Sequence, residues 1–199
     1  MVNNLLQVLK KEPSLKQLIE GCAKRDYKCE ERLYKTFYGY LCGVAFRYVK
    51  DRNTINDVVN DAFVKIFRKI GDFAFDGPVD ELPRVFKGWI GRVAANAAID
   101  NIRAKKVMLY VDDIGDEISM NIAVESPDNL SYHDILKLLD ELPPIQQTIF
   151  NMHQIEGFSH EEIAQKFEIP ASTSRVYLTR ARVKLVELYQ KSMMTYYEK

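Results

Sequence analysis

Between Ser172 and Lys184 the sequence gathers Arg175, Arg180, Arg182 and Lys184 around Ser172, Thr173, Ser174, Tyr177 and Thr179, with no acid before Glu187. That composition suits a polyanion. Arginine and lysine neutralise phosphates, while short hydrogen-bonding side chains near a helix start reach base edges in a major groove. An amphipathic helix with a solvated basic face is the competing reading. What precedes the segment favours a helix-turn-helix. Ser159-His160-Glu161-Glu162 has capping-box spacing, Ser159 capping the helix start while Glu162 reaches back. Ile163, Ala164 and Phe167 form an inward face, with Ala164 small enough for a crossing helix. Glu168-Ile169-Pro170 makes a short turn, and the next helix starts at Pro170 or Ser172, its inward face expected at Val176, Ala181, Leu185 and Leu188.

A second constellation lies upstream. Trp89, Arg92, Asn96, Asp100 and Arg103 recur at steps of three and four, a single polar-aromatic stripe along one helix that Lys105 and Lys106 extend in positive charge. An ion-paired solvent face, Asp100 with Arg103, with Trp89 in the core, is the plainer reading. On the preceding helix Asp57, Asn60, Asp61, Val64 and Arg68 share a face opposite the apolar stripe.

Little here points to covalent chemistry. His133, His153 and His160 are not at metal-ligand spacing, and no phosphate-cradling glycine loop or nucleophile motif occurs. No catalytic residue, metal or cofactor is expected. Cys22, Cys29 and Cys42 are odd in number and form no C-x-x-C pair, as expected of free thiols in a reducing compartment. No apolar run is long enough to span a membrane and the N-terminus has no signal-peptide core, so the expected location is the cytoplasm.

The elements that must position these residues are helical. Apolar periodicity predicts helices over 14–24, 29–49, 55–70 with Thr54 as N-cap, 85–106, 130–141, 144–154, 159–167 and 170–191, with a loop at 73–84 that holds Gly77, Pro78 and Pro83. The formal net charge of zero over 199 residues conceals a segregation: +7 over residues 1–106, −6 over 107–129 and −1 over 130–199. Charge divided this way points to a polyanion partner for one part only. The expected fold class is all-α: two helical domains, 1–106 and 130–199, joined by an acidic, mostly extended linker at 107–129. A single fused bundle is the alternative.

Several of these stretches resemble one family. Leu142-Pro143, Ile155 to Ala164, Ser172-Thr173-Ser174-Arg175 and Arg180-Ala181-Arg182 look like region 4 of the extracytoplasmic-function (ECF) sigma factors, within the sigma-70 family. The resemblance implies binding of the −35 promoter element, through Ser172, Thr173, Ser174, Arg175, Tyr177, Thr179, Arg180 and Arg182, and of the RNA polymerase β flap. Asn56 to Phe67 is similar to region 2.2, which docks on the β′ clamp helices; Asp57, Asn60, Asp61, Val64 and Phe67 are the residues implied. Asp57 and Asp61 match the family's acids, and Asn60 replaces a common glutamine. Phe86 to Ile90 and Arg92 to Arg103 resemble regions 2.3 and 2.4, which open the −10 element and capture non-template bases. The implied −10 residues are Lys87, Trp89, Arg92, Asn96, Asp100, Arg103, Lys105 and Lys106. The loop 73–87 stands where the family has its specificity loop, with Phe73, Phe75 and Arg84 available to shape a pocket. Asp112, Asp113, Asp116, Glu117, Glu125 and Asp128 fall in the linker, which in the family threads near the RNA exit path; a solubilising tether explains them equally well.

Two departures stand out: Glu168 where a glycine is usual, and Ser174 for a usual aliphatic. The implied partners are core RNA polymerase, promoter DNA and an anti-sigma factor, with no membrane insertion. A two-domain helix-turn-helix regulator with a ligand-sensing N-terminal bundle is the alternative function.

Overall fold

Ser14 opens the first described helix with a capping box. Its Oγ accepts from Gln17 N at 3.3 Å and its own N–H donates to Gln17 Oε1 at 2.9 Å. The computed structural model describes residues 13–104 and 137–197, with side chains to Ser192. Helical segments account for the regular structure among them, and the chain divides into two compact units, Met1–Ile102 and Arg103–Lys199. The whole of the expected acidic linker, the 130–141 helix up to residue 136, and His133 lie outside the described residues.

The first unit holds α1 (Leu15–Ala23), α2 (Tyr27–Phe46), α3 (Arg52–Lys69) and α4 (Leu82–Ala104). The N-cap of α3 is Asp51, not Thr54: Asp51 Oδ2 accepts from both Thr54 N and Thr54 Oγ1 at 2.8 Å. An ionised cap nearest the helix start satisfies the free N–H better than a threonine already inside the first turn. α4 begins three residues earlier than its periodicity suggested and includes Pro83, which the first helical turn tolerates because that N–H needs no partner.

Leu33, Phe37, Leu41 and Val44 of α2 and Val58, Val59, Ala62, Phe63 and Ile66 of α3 are buried. Against them lie Phe86, Ile90, Ala94, Ala95, Ala97, Ala98 and Ile99 of α4. Four of these are alanines, so α4 is buried over a wide arc by small side chains. Phe86 sits at an aromatic junction, with ring centroids 5.4 Å from Phe37, 5.2 Å from Phe73 and 5.7 Å from Trp89.

The second unit holds α5 (Pro144–Phe150), α6 (His160–Phe167) and α7 (Ala171–Tyr197). α5 passes into a wider π turn over Asn151–Ile155, and Gly157 then takes φ 70°, a backbone region that a side chain would strain. Leu139, Leu142, Ile145, Ile149, Met152, Phe158 and Ile163 build its core with Tyr177, Leu178 and Ala181. The inward face of α7 differs from the sequence expectation: Ser174, Tyr177, Leu178 and Ala181 are buried, while Val176, Leu185 and Leu188 are half-buried. α7 packs on both α5 and α6, so its first turns are covered over two faces instead of one.

Candidate nucleic-acid interface

On α3, Asp57, Asn60 and Asp61 are exposed polar groups, and Val64 is an exposed apolar one at 48%. Phe67 is half-buried and stacks on Phe63 at 5.8 Å. Two tyrosines of α2 border this face. Tyr34 OH donates to Asn60 Oδ1 at 3.1 Å, and Tyr38 OH donates to Asn56 Oδ1 at 2.9 Å. With their oxygens occupied, both amides keep N–H groups for a partner. An acidic, amide-lined face with an apolar centre fits a basic protein surface better than a nucleic acid.

α4 mounts the second stripe in the same unit. Trp89 is half-buried, 5.2 Å from Phe73 as well as packed on Phe86, so it is both a core residue and a partly open aromatic face. Arg92 and Asn96 are half-buried and Asp100 and Arg103 exposed. Asn96 Oδ1 is buried without a hydrogen-bond partner. Lys87 is exposed; its carbonyl accepts from Tyr40 OH at 3.1 Å, and its Nζ stands 5.8 Å from the Tyr40 ring. Asp100 pairs with Lys65 of α3 rather than with Arg103 of its own helix. Lys105 and Lys106 lie outside the described residues. Beside α1, the loop encloses a cavity of about 160 Å³ lined by Ile19, Phe73, Phe75, Val79 and Leu82, with Lys16 and Glu20.

The second unit realises the helix-turn-helix. Ser159 and Glu162 form the expected capping box, with Ser159 N–H donating to Glu162 Oε2 at 2.8 Å and Glu162 N–H to Ser159 Oγ at 3.1 Å. Glu168 ends α6 in the left-handed region at φ 56°, ψ 39°. Along α7, Ser172, Arg175 and Arg182 are exposed and Thr179 half-exposed, one surface at steps of three and four. Arg180 is half-exposed to one side.

Three of the expected base-reading residues are enclosed. Thr173 is 8% exposed, Ser174 0% and Tyr177 1%, because they face α5 and α6. Ser174 Oγ is held by His160 Nδ1 at 2.9 Å, so the serine that replaces an aliphatic is a satisfied core polar group. Arg175 makes a 2.7 Å ion pair with Glu161, which aims the guanidinium along the helix surface. Backbone hydrogen bonding, with Arg175 adding, holds the Glu161 carboxyl below its usual range. The His153 and His160 rings lie 4.3 Å apart. Burial holds both imidazoles below the ordinary histidine value, with Arg182 adding for His153, and His153, Arg175 and Arg182 for His160. Among the described residues no cluster of His, Cys, Asp and Glu could hold a metal ion, and no helix is long and apolar enough to cross a membrane.

Comparison with known proteins gives this arrangement its family. A model described as Sigma-70 region 2 matches residues 33–107, and one described as Sigma-70, region 4 matches residues 132–185. The chain belongs to the sigma-70 family of RNA polymerase sigma factors. Its ECF branch is supported by curated relatives. The RNA polymerase sigma-H factor of Pseudomonas aeruginosa is 27% identical over 180 residues, covering 83% of this chain and 89% of the relative. The ECF RNA polymerase sigma-E factor of Haemophilus influenzae is 28% identical over 177 residues, again 83% and 89%. A co-crystal structure of the sigma factor RpoE with the anti-sigma factor NepR from Bartonella quintana is similar at TM-score 0.47 and 21% identity, over 80% of this chain and 96% of that one.

In this sigma factor, region 2 therefore carries the α3 face and the α4 stripe, and region 4 carries the α6–α7 pair. Reasoning from sequence missed Tyr34, Tyr38 and Lys65 beside the region 2 surfaces, and Glu161 and His160 behind the α7 surface. Tyr34 and Tyr38 carry a signal of their own, an i, i+4 polar-aromatic pair next to the α2 core stripe. The others emerge only from packing between helices.

Proposed function

We propose that the sigma factor divides its work among three surfaces and a tether. The α3 face, with Asp57, Asn60, Asp61, Val64 and Phe67, docks on the β′ clamp helices of core polymerase. The α4 stripe, with Lys87, Trp89, Arg92, Asn96, Asp100, Arg103, Lys105 and Lys106, captures the non-template strand of the −10 element. Ser172, Arg175, Thr179 and Arg182, flanked by Arg180, contact the −35 element, while the same domain reaches the β flap. The domain limits that accompany this reading are 1–106 and 130–199, with 107–129 as acidic tether. The chain acts in the cytoplasm and supplies no covalent chemistry, and an anti-sigma protein is its regulatory partner.

The observation that carries this reading is the mounting of the acid-amide face and the aromatic-amide stripe on adjacent helices of one unit. Unpairing duplex costs on the order of a few kcal/mol per step and is offset when a base is stacked and hydrogen-bonded outside the helix. Trp89 offers the stacking face. Asn96 adds a half-buried amide on the same stripe, a group able to read a base edge. The alternative, a ligand-sensing regulator, calls for an apolar chamber in the first unit. Among the described residues, the apolar-lined cavity beside α1 is about 160 Å³, below the roughly 300 Å³ at which small-molecule sites begin, and the larger hollow on α2 is lined by Lys28, Glu31, Arg32, Lys35 and Thr36.

In vitro transcription with core polymerase over a genomic DNA library tests the proposal. The expected result is a set of start sites that depend on the chain and share one −35/−10 pair. Duplex binding by the chain alone, unchanged by core polymerase and without new start sites, would refute it in favour of the regulator.

A further inference from the structure

Lys65 stands one turn beyond Asp61 on α3 and also reaches α4. Its Nζ lies 2.8 Å from Asp61 Oδ2 and 3.3 Å from Asp100 Oδ2. Three N–H donors let one ammonium serve both carboxylates. Burial alone would pull the lysine pKa down, but hydrogen bonds and charge from Asp61 and Asp100 outweigh it and raise the pKa above the ordinary lysine value.

The two acids belong to different surfaces. Asp61 is on the polymerase-docking face and Asp100 on the strand-capturing stripe. We infer that Lys65 is a positioning residue that joins these surfaces, neutralising Asp100 beside the captured strand while holding Asp61 toward polymerase. This rests on the surface assignments proposed above.

The physical argument starts from Asp100. A bare carboxylate on a stripe that must receive phosphates repels them, and a neighbouring ammonium offsets that repulsion. The ammonium is shared, closer to Asp61 at 2.8 Å than to Asp100 at 3.3 Å. When a basic group of polymerase engages Asp61, Lys65 is released toward Asp100 and the stripe becomes less negative. Core binding then favours strand capture, and by linkage strand capture favours core binding.

The test compares holoenzymes assembled with wild type, Lys65→Met, Lys65→Arg, Asn96→Ala, Asp100→Asn and the double variant Lys65→Met/Asp100→Asn. The probe is a fluorescent single-stranded oligonucleotide carrying the non-template −10 sequence mapped by the transcription assay. A −35-only duplex and the thermal melt of each chain serve as controls. Because the pairs are partly exposed, Lys65→Met is expected to weaken oligonucleotide binding about three- to tenfold, with −35 duplex binding unchanged. Lys65→Arg should stay within about twofold of wild type. Measured against Asp100→Asn alone, the double variant should lose nothing further, since the carboxylate that Lys65 neutralises is already gone; a merely structural lysine would give the same loss in both backgrounds. Wild-type affinity in Lys65→Met, or an equal loss on adding Lys65→Met to Asp100→Asn, overturns the role of Lys65. If Asn96→Ala loses affinity while Lys65→Met does not, only this inference fails. If neither loses affinity, the strand-capture assignment fails and takes this inference with it.

Discussion

Glu168 offers the most quantitative prediction. It closes α6 at φ 56°, ψ 39°, with its N–H bonded to the Ala164 carbonyl. An L side chain in that region costs roughly 1–2 kcal/mol, because Cβ crowds a carbonyl oxygen. Glycine removes the crowding but gains freedom when unfolded, which takes back roughly 0.5–1 kcal/mol. Glu168→Gly should therefore stabilise the helix-turn-helix by about 0.5–1 kcal/mol, or about two- to fivefold in the local opening equilibrium. Glu168→Ala is the control: it removes the same exposed carboxylate and keeps the strain, so the gain should be absent. Glu168→Asn should fall between, since asparagine tolerates the left-handed region better than most residues. Native-state amide exchange in the full chain reads this locally, at the amides of α6 and the first turns of α7. Glycine exchanging as fast as alanine would refute the strain argument.

Four further predictions concern both units. Because the His153 and His160 imidazoles are held below the ordinary histidine value, the unfolded chain takes up protons first as pH falls. Stability of the second unit should thus be full above roughly pH 6.5, the unfolded value, and decline below it; amide exchange between pH 5 and 7.5 checks this, and His160→Gln should flatten the slope. Reversing both charges with Asp57→Lys and Asp61→Lys should abolish co-purification with core polymerase, and unchanged recovery would remove α3 from the docking surface. Asn96→Ala should reduce permanganate reactivity of −10 thymines while −35 footprints persist; normal reactivity would count against strand capture. Gly21→Ala should destabilise the first unit by about 1–3 kcal/mol in thermal unfolding, since an added Cβ would lie 2.3 Å from Cys29 Sγ and 2.8 Å from Cys29 Cβ.

The sequence by itself determined the helices and the family they belong to. Apolar residues at steps of three and four specify which segments coil, and the Ser159/Glu162 spacing specifies where a helix starts. The order of the motifs, acid-amide, then tryptophan-asparagine, then a basic helix, was legible because each is a local pattern along one helix. What only the tertiary structure decided is what lies between helices. A single helix cannot reveal that α7 is covered on two sides, so Thr173, Ser174 and Tyr177 looked available when they are enclosed. Nor can periodicity reveal that Asp100 takes its cation from α3, since Lys65 and Asp100 are 35 residues apart in the chain. The left-handed Glu168 falls between these cases. The family pattern marked the position by its missing glycine, and the fold set its angle, with the Glu168 N–H closing α6 on the Ala164 carbonyl.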